Sequence, residues 1–403
     1  MTNHEVAVIG AGWAGVAVSH ALRRTDIGHV VYEGKRICET WRTQRWMSFR
    51  MNTPNVFTVM PGDRYLGEDP EGFMTCDGFV DMVERYARRH ELPIIENTPI
   101  SDVRRIGSQF GVQGPFGIVL ARSVVIATGN LNRPRRPSAA SRLPASVYQI
   151  DGSQYRHAGQ LPSGAVLVVG CGNSGGQIAE DLLLSGRAVF LSTGRNGRIP
   201  RRYRGRDIIL WLVANGRMAM PRTSRTGRAL LGATHTISLQ SLSAQGVTLL
   251  GRFEDVLPDG TMTFADSVGD SIRFGDQLSS EIRREIDAYI ERTGIDAPEA
   301  VVDAAESAVP RLADPPIRQL RLTSAEVSTV IWSTGFEGDF AWVRVPGAIA
   351  EDGTPIQNQG LSVPGIYFAG LDGPESLAAG TIHVAEEESN RIAAHIRAHR
   401  AAQ

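Results

Sequence analysis

The stretch VAVIGAGWAG, residues 6–15, decides the fold at the start of this 403-residue chain. A strand-like apolar run leads into the spacing GxGxxG at Gly10, Gly12 and Gly15, and a helix-like segment follows. Such glycines permit a tight turn, a close approach of the backbone to a pyrophosphate, and close packing of helix on strand. The next strand-like run ends on Glu33, whose carboxylate suits ribose hydroxyls. The sequence therefore predicts a βαβ unit that binds a dinucleotide, FAD being the one it suits.

A second copy of this pattern begins with the apolar run at 165–169. The same glycine spacing follows it, at Gly170, Gly172 and Gly175. The strand after this motif ends in the tripeptide TGR, residues 193–195, and not in an acid. An acid there would repel a ribose 2′-phosphate, whereas the guanidinium of Arg195 can pair with it. The second site therefore favours NADPH over NADH, and two such sites in one chain indicate hydride transfer from nicotinamide to flavin.

Three further apolar runs end in glycine, at 124–129, 330–335 and 366–370, and each is typical of a buried strand. The simplest architecture is an α/β fold with two Rossmann-like dinucleotide-binding domains. In this prediction the FAD-binding domain comprises residues 1–163 and 318–403, and the NADPH-binding domain, residues 164–317, is inserted between them.

The charge balance argues against an obligate nucleic-acid or membrane-surface protein, because the chain has 42 basic and 43 acidic residues. An arginine-rich run at 195–206 favours recognition of cofactor phosphate, with a solvated loop as the alternative. Three widely spaced cysteines, without a CxxC motif, predict a reduced cytoplasmic protein without a disulfide framework. No HxH or HExxH arrangement occurs, so we expect no metal site. No apolar stretch reaches the length of about 20 residues that spans a bilayer.

Several motifs together resemble one family, the class B flavin-containing monooxygenases, and most of all its bacterial single-chain group akin to the plant YUCCA enzymes. They are the two glycine motifs with Glu33, Thr40-Trp41-Arg42, Asn52-Thr53-Pro54, Ala127-Thr128-Gly129, the YRGRD run at 203–207 and the WSTGF run at 332–336. The resemblance implies that NADPH reduces FAD and that O2 then adds to give C4a-hydroperoxyflavin. One oxygen would pass to a small organic substrate by N-, S- or carbonyl oxidation.

The resemblance also implies roles for individual residues. Asn52 matches the family's asparagine near the flavin ring and is the candidate catalytic hydrogen-bond donor, with a turn-forming asparagine as the alternative. Asp372 could reach the ribityl chain of FAD or be a surface-loop aspartate. The remaining cofactor contacts implied by the match are Trp41, Thr128 and Gly129 for FAD, and Asn173 and Ser174 for NADPH.

One motif departs from the family. Its signature FxGxxxHxxxY places a histidine where this chain has Asp151, although Tyr155 matches the signature's tyrosine. A negative charge facing the NADP phosphates would be repulsive, so we expect Asp151 to point away or to pair with an arginine such as Arg156. We also expect looser retention of NADP⁺ than in relatives that carry the histidine.

Two other functions compete with oxygen transfer. An NADPH oxidase-like or regulatory flavoprotein would use the same two nucleotides without oxygenating a substrate. A pyridine-nucleotide disulfide oxidoreductase would need a cysteine pair near the flavin, but Thr43 stands five residues after Cys38. The sequence leaves the substrate open, and it leaves the oligomeric state open as well, a homodimer included.

Overall fold

The computed structural model describes residues 3–222 and 229–401. The strands are β1 Asn3–Ile9, β2 His29–Tyr32, β3 Ile94–Ile95, β4 Asp102–Ile106, β5 Gln109–Gly114, β6 Gly117–Ile126, β7 Arg133–Pro134, β8 Tyr148–Asp151, β9 Ala165–Val169, β10 Val189–Ser192, β11 Gly197–Arg198, β12 Arg202–Tyr203, β13 Arg206–Asp207, β14 Ala229–Leu230, β15 Thr248–Leu250, β16 Phe253–Val256, β17 Met262–Phe264, β18 Gln319–Leu320, β19 Val327–Trp332, β20 Phe336–Glu337, β21 Val343–Arg344 and β22 Ile366–Phe368. The helices are α1 Trp13–Arg24, α2 Glu39–Thr43, α3 Cys76–Arg89, α4 Asn173–Leu184, α5 Ile208–Ala214, α6 Leu239–Gln245, α7 Val268–Thr293 and α8 Ala385–Ala401.

The first large sheet has the order β21-β4-β5-β6-β1-β2-β3, and β22 also pairs with β6. Its centre is parallel, with β1 between β2 and β6, and the β4–β5–β6 part is antiparallel. The C-terminal part of β1, residues 6–9, is buried, as expected for a continuous apolar run covered on both faces of the sheet. Helix α1 packs on this sheet and against α8, whose Ile392 and Ile396 are buried.

The second sheet has the order β15-β10-β9-β19-β8, and all of its strand pairs are parallel. All five residues of β9 are buried, which explains its unbroken apolar sequence. Helix α4 connects β9 to β10 and so completes the second βαβ unit. The two expected Rossmann-like units, and the α/β fold class, are thereby confirmed.

The domain boundaries drawn from the sequence differ from the observed sheets. Strands β8 and β19 lie outside residues 164–317, yet both belong to the second sheet, where Trp332 is in register with Asp151. The boundaries therefore divide this sheet on both sides. The physical reason is that a short apolar run identifies a buried strand but carries no information about which neighbour completes its hydrogen bonds.

Two short strands join the units. Strand β7 follows β6 of the first sheet along the chain, and β20 follows β19 of the second sheet. The two short strands pair antiparallel as a small ribbon. Across the ribbon Arg133 forms an ion pair with Glu337. No helix in the described ranges 3–222 and 229–401 has the length and apolar character of a membrane span.

Candidate functional site

The first glycine loop leaves room in front of the N-terminus of α1. Gly10 has φ +103°, a conformation that disfavours other residues, and a Cβ on Gly15 would overlap the carbonyl oxygen of Gly10. A Cβ on Gly12 would meet nothing within 4 Å, and no side chain caps the helix there. Free backbone N–H groups and open space at a helix N-terminus suit a phosphate. The loop therefore fits the pyrophosphate of a dinucleotide.

The carboxylate of Glu33 lies against this loop. It accepts hydrogen bonds from the backbone N–H of Ala11 at 2.7 Å and from that of Lys35 at 2.9 Å. Strand β2 places it there because its last residue, Tyr32, is in register with Ile9 at the end of β1. The sequence-predicted acid and glycine loop are thus brought together, as a ribose site requires.

The strand ends beside this loop carry the next predicted residues. Strands β6 and β22 end side by side, and Thr128 and Gly129 follow β6 after Ala127. The hydroxyl of Thr128 is buried and has no hydrogen-bond partner among the described residues. Such an orphaned polar atom points to a group that the isolated chain does not supply. Gly129 has φ +73°, so the backbone turns sharply after the strand.

Asp372 lies across from these residues and is half-buried. Its backbone exchanges two hydrogen bonds with the side chain of Asn130, at 2.7 and 3.0 Å, and its carboxylate pairs with Arg222. Burial raises the pKa of Asp372, opposed by that arginine. Two residues earlier, the backbone N–H of Gly370 donates to Glu388 at 3.0 Å, and burial raises the pKa of Glu388 to about 6.

Trp41 belongs to an aromatic cluster next to the first unit. Its ring lies 4.6 Å from that of Phe79, and the guanidinium of Arg45 lies 4.6 Å above it. The backbone carbonyl of Trp41 accepts from the thiol of Cys76 at 2.8 Å. These contacts hold α2 against α3 and fix the position of the indole.

Asn52 bridges the two units. Its side-chain oxygen accepts a hydrogen bond from Gln177 on α4 at 3.0 Å, and its backbone carbonyl accepts one from Arg201 at 3.0 Å. The asparagine is half-buried. Gln177 was not predicted as a site residue, and Arg201 was predicted only as a member of the arginine run at 195–206 that recognises cofactor phosphate. No local pattern in the sequence links either residue to Asn52, which lies more than a hundred positions away.

The second glycine loop repeats the first. Gly170 has φ +104°, a Cβ on Gly175 would overlap the carbonyl oxygen of Gly170, and a Cβ on Gly172 would meet nothing within 4 Å. The hydroxyl of Ser333, which follows β19, is buried without a partner among the described residues. The second loop therefore also fits a nucleotide phosphate.

Two polar residues of this motif begin α4. Asn173 is the first residue of the helix, and its side-chain oxygen accepts from the backbone N–H of Leu231 at 2.8 Å. Ser174 follows it in the first helical turn and is half-buried. Both residues lie at the N-terminus of α4, the position predicted for NADPH contacts.

Arg195 is exposed and follows β10 after Thr193 and Gly194. Its guanidinium lies 5.1 Å from the centre of the Phe274 ring and forms no ion pair with any described residue. The alternative interpretation, that the arginine run is a solvated loop, is wrong at Arg198 and Arg201, because both side chains are buried. Arg198 pairs with Asp276 and Glu306, and Arg201 pairs with Asp207. The structure thus leaves Arg195 available while other arginines of the run hold the fold together.

Asp151 pairs with an arginine, but not with the expected one. Its carboxylate lies 3.0 Å from the guanidinium of Arg136. Arg156 instead donates to the backbone carbonyls of Ser153 and Tyr155, each at 3.0 Å. Asp151 ends β8 and stands before a short 3₁₀ turn, so its side chain is directed by that turn and not towards Arg156.

The cysteines bear on the disulfide alternative. All three are free, and burial raises the pKa of Cys38 to about 12 and that of Cys76 to about 11. A thiol with so high a pKa is a poor nucleophile at neutral pH. Within residues 3–222 and 229–401 no group of His, Cys, Asp and Glu side chains has the arrangement of a metal site.

Comparison with known proteins places the chain in a family. Residues 7–206 match the family model described as pyridine nucleotide-disulphide oxidoreductase. An uncharacterised CzcO-like oxidoreductase of Geobacillus kaustophilus is 32% identical over 374 residues, covering 91% of this chain and 90% of the relative. The chain is therefore an oxidoreductase, and it belongs to the family of the CzcO-like oxidoreductases.

More distant likenesses agree with this assignment. A probable indole-3-pyruvate monooxygenase, YUCCA4 of Arabidopsis thaliana, is 21% identical over 402 residues, covering 94% of this chain and 88% of that protein. The structure of a flavin-containing monooxygenase from Stenotrophomonas maltophilia superposes with a TM-score of 0.68 at 16% identity, covering 99% of this chain and all of the other. The resemblance to flavin-containing monooxygenases expected from the sequence motifs is confirmed.

Proposed function

We propose that the protein is an FAD- and NADPH-dependent monooxygenase that uses O2 to oxidise a small organic substrate at nitrogen, sulfur or a carbonyl group. The observation that carries the proposal is that two glycine loops share one backbone geometry, while an acidic residue accompanies the first and a basic residue accompanies the second. Glu33 lies against the first loop, and Arg195, which forms no ion pair with a described residue, stands after the strand next to the second loop. The first suits the ribose of FAD, and the second suits a 2′-phosphate.

The flavin, when bound, accepts hydride and activates oxygen, so the chain itself needs no strong nucleophile. The residues of the chain hold the two nucleotides, exclude water and supply hydrogen bonds. Gly10, Gly12 and Gly15 provide the first phosphate cradle, Gly170, Gly172 and Gly175 the second. Asn52, between the units, is the proposed donor near the reacting atoms, because its side-chain oxygen is already occupied by Gln177.

Oxygen transfer is favoured over disulfide reduction by the cysteines. Burial raises the pKa of the thiols of Cys38 and Cys76, so their surroundings disfavour the thiolate. A disulfide reductase needs a thiolate beside the flavin. Free cysteines also accord with a reducing compartment, and we place the enzyme in the cytoplasm.

The test measures the fate of reducing equivalents. The purified protein should show a flavin spectrum, consume NADPH faster than NADH, and release less peroxide than the NADPH it consumes when the right amine, thiol or ketone is supplied. A matched reaction without substrate gives the baseline. Peroxide equal to NADPH with every substrate would identify an NADPH oxidase-like protein, and absence of bound flavin would overturn the proposal.

A further inference from the structure

Gln177 is a buried glutamine on α4 whose amide nitrogen serves two acceptors. It is 7% exposed. Its Nε2 donates to the backbone carbonyl of Leu231 at 2.8 Å and to Oδ1 of Asn52 at 3.0 Å. It thereby connects α4 of the second unit with Asn52, the proposed hydrogen-bond donor near the reacting atoms.

The polarity of these two bonds follows from chemistry. A backbone carbonyl can only accept, so the atom of Gln177 that faces Leu231 must be the NH2 group. The second proton of that NH2 group points at the side chain of Asn52. The atom of Asn52 that accepts this hydrogen bond must therefore be its oxygen, Oδ1. The amide nitrogen of Asn52 is therefore turned to the other side, and no described residue accepts a hydrogen bond from it. Arg201 holds the backbone carbonyl of Asn52 as well, so the whole residue is fixed.

The same chain of bonds reaches the second glycine loop. The backbone N–H of Leu231 donates to Oδ1 of Asn173, and the backbone carbonyl of the same residue accepts from Gln177. Asn173 is the first residue of α4 and part of the glycine motif. A continuous series of hydrogen bonds therefore runs from Asn173 through Leu231 and Gln177 to Asn52.

We propose that Gln177 is a positioning residue that orients the carboxamide of Asn52, leaving its NH2 group free as a donor to the reacting atoms and linking that orientation to the NADPH loop. The proposal rests on the proposed monooxygenase function. Gln177 itself does not touch the reacting atoms.

The first test asks whether the contact exists and needs no turnover. Gln177→Met keeps the length of the side chain but cannot donate, and its melting temperature is compared in the wild-type and Asn52→Leu backgrounds. The loss caused by Gln177→Met should shrink by about half in the second background, because one of its two bonds is already gone. An equal loss in both backgrounds would overturn the contact.

The second test measures peroxide released per NADPH with a productive substrate. Gln177→Met should release at least about threefold more peroxide than wild type, as should Asn52→Ala, and the double variant should be no worse than Asn52→Ala alone. The KM for NADPH should change less than about twofold, since the nucleotide contacts remain. Asn52→Asp keeps an acceptor for Gln177 but lacks the NH2 donor. Its melting temperature should therefore be close to that of the wild type, while its peroxide released per NADPH should be raised as in Asn52→Ala.

Gln149→Met is the matched control. Gln149 in β8 also makes two hydrogen bonds, with Trp332 and Ala140, but does not contact Asn52. It should leave the peroxide ratio at the wild-type value. A wild-type ratio in Gln177→Met, or losses that multiply in the double variant, would overturn the positioning role. Full release of peroxide by the wild type itself would instead overturn the proposed function, and the positioning role with it.

Discussion

The two glycine loops of this protein share a backbone and differ in what stands beside them. Gly10 and Gly170 have φ values of +103° and +104°. In the first unit the residue after the second strand is Glu33, which binds the N–H of Ala11. In the second unit that place is taken by Thr193, which donates to the carbonyl of Leu250.

The second loop is held differently. The thiol of Cys171 accepts from the N–H of Gly194 at 3.2 Å and from the side chain of Asn196 at 3.0 Å. Arg195 lies between these two residues in sequence and is exposed, with its guanidinium over the ring of Phe274. Under the proposed function, the glycine loop sets where a phosphate binds, while a few side chains after the end of the next strand set which nucleotide is preferred.

The largest expected effect comes from filling the shared part of the two loops. Gly15→Ala and Gly175→Ala should each lower the free energy of unfolding by roughly 3–5 kcal/mol, since the added Cβ overlaps a backbone oxygen that cannot move freely. Urea unfolding measures this.

Gly12→Ala and Gly172→Ala are the matched controls, because their Cβ atoms meet nothing. Both should fold with near wild-type stability and lose FAD or NADPH affinity instead. Equal destabilisation at all four positions would break the assigned division between packing glycines and phosphate-facing glycines.

The next effect separates the two units. Arg195→Ala should raise the KM for NADPH by roughly 10- to 150-fold, because a charge-assisted bond to phosphate contributes roughly 1.5–3 kcal/mol. The KM for NADH should hardly change. Steady-state kinetics with both nucleotides measure the ratio.

Arg206→Ala supplies the control for this experiment. Arg206 is also exposed, and it too lies over an aromatic ring, 4.9 Å from that of Trp211. It should leave the preference for NADPH unchanged. If Arg206→Ala abolished the preference and Arg195→Ala did not, the phosphate contact would belong to the other end of the run.

A smaller effect tests a feature without a described counterpart in the second unit, the half-buried Glu388 beside Gly370. Burial raises its pKa from 4.5 to about 6, so the folded protein holds this proton more tightly than the unfolded chain. Stability is therefore lost as the pH rises from 4.5 to about 6, and the loss stays complete above that value.

Glu388→Gln should raise the free energy of unfolding by about 1 kcal/mol near pH 8 and by almost nothing near pH 4. Thermal melts at the two pH values measure the difference. Glu387→Gln, at an exposed position on the same helix, should give no gain at either pH. A gain for Glu388→Gln of the same size at both pH values would contradict the assignment.

The smallest effect concerns Asp151. Its replacement by histidine removes the ion pair with Arg136, which is partly exposed and worth at most about 1 kcal/mol. Because Arg136 already balances the negative charge, Asp151→His should tighten NADP⁺ binding by less than about threefold. Fluorescence titration with NADP⁺ checks this, and tightening far beyond that range would mean that the carboxylate faces the phosphates.

Features written in consecutive residues could be predicted from the sequence. The two glycine motifs, the apolar strands around them and the position of Glu33 all follow from local spacing. The allocation of β8 and β19 to the second sheet could not be predicted, because pairing between strands far apart in the chain depends on which hydrogen-bonding edges remain open. The same holds for Asp151 and Gln177, whose partners are chosen by the tertiary fold.

The ribbon formed by β7 and β20 has a mechanical consequence. The chain passes from one unit to the other at these two strands, and their pairing turns two separate tethers into one short strip, fastened by Arg133 and Glu337. A paired strip resists stretching and sideways shear but bends and twists about its own axis. Relative motion of the two units is thereby limited mainly to bending and twisting of this strip.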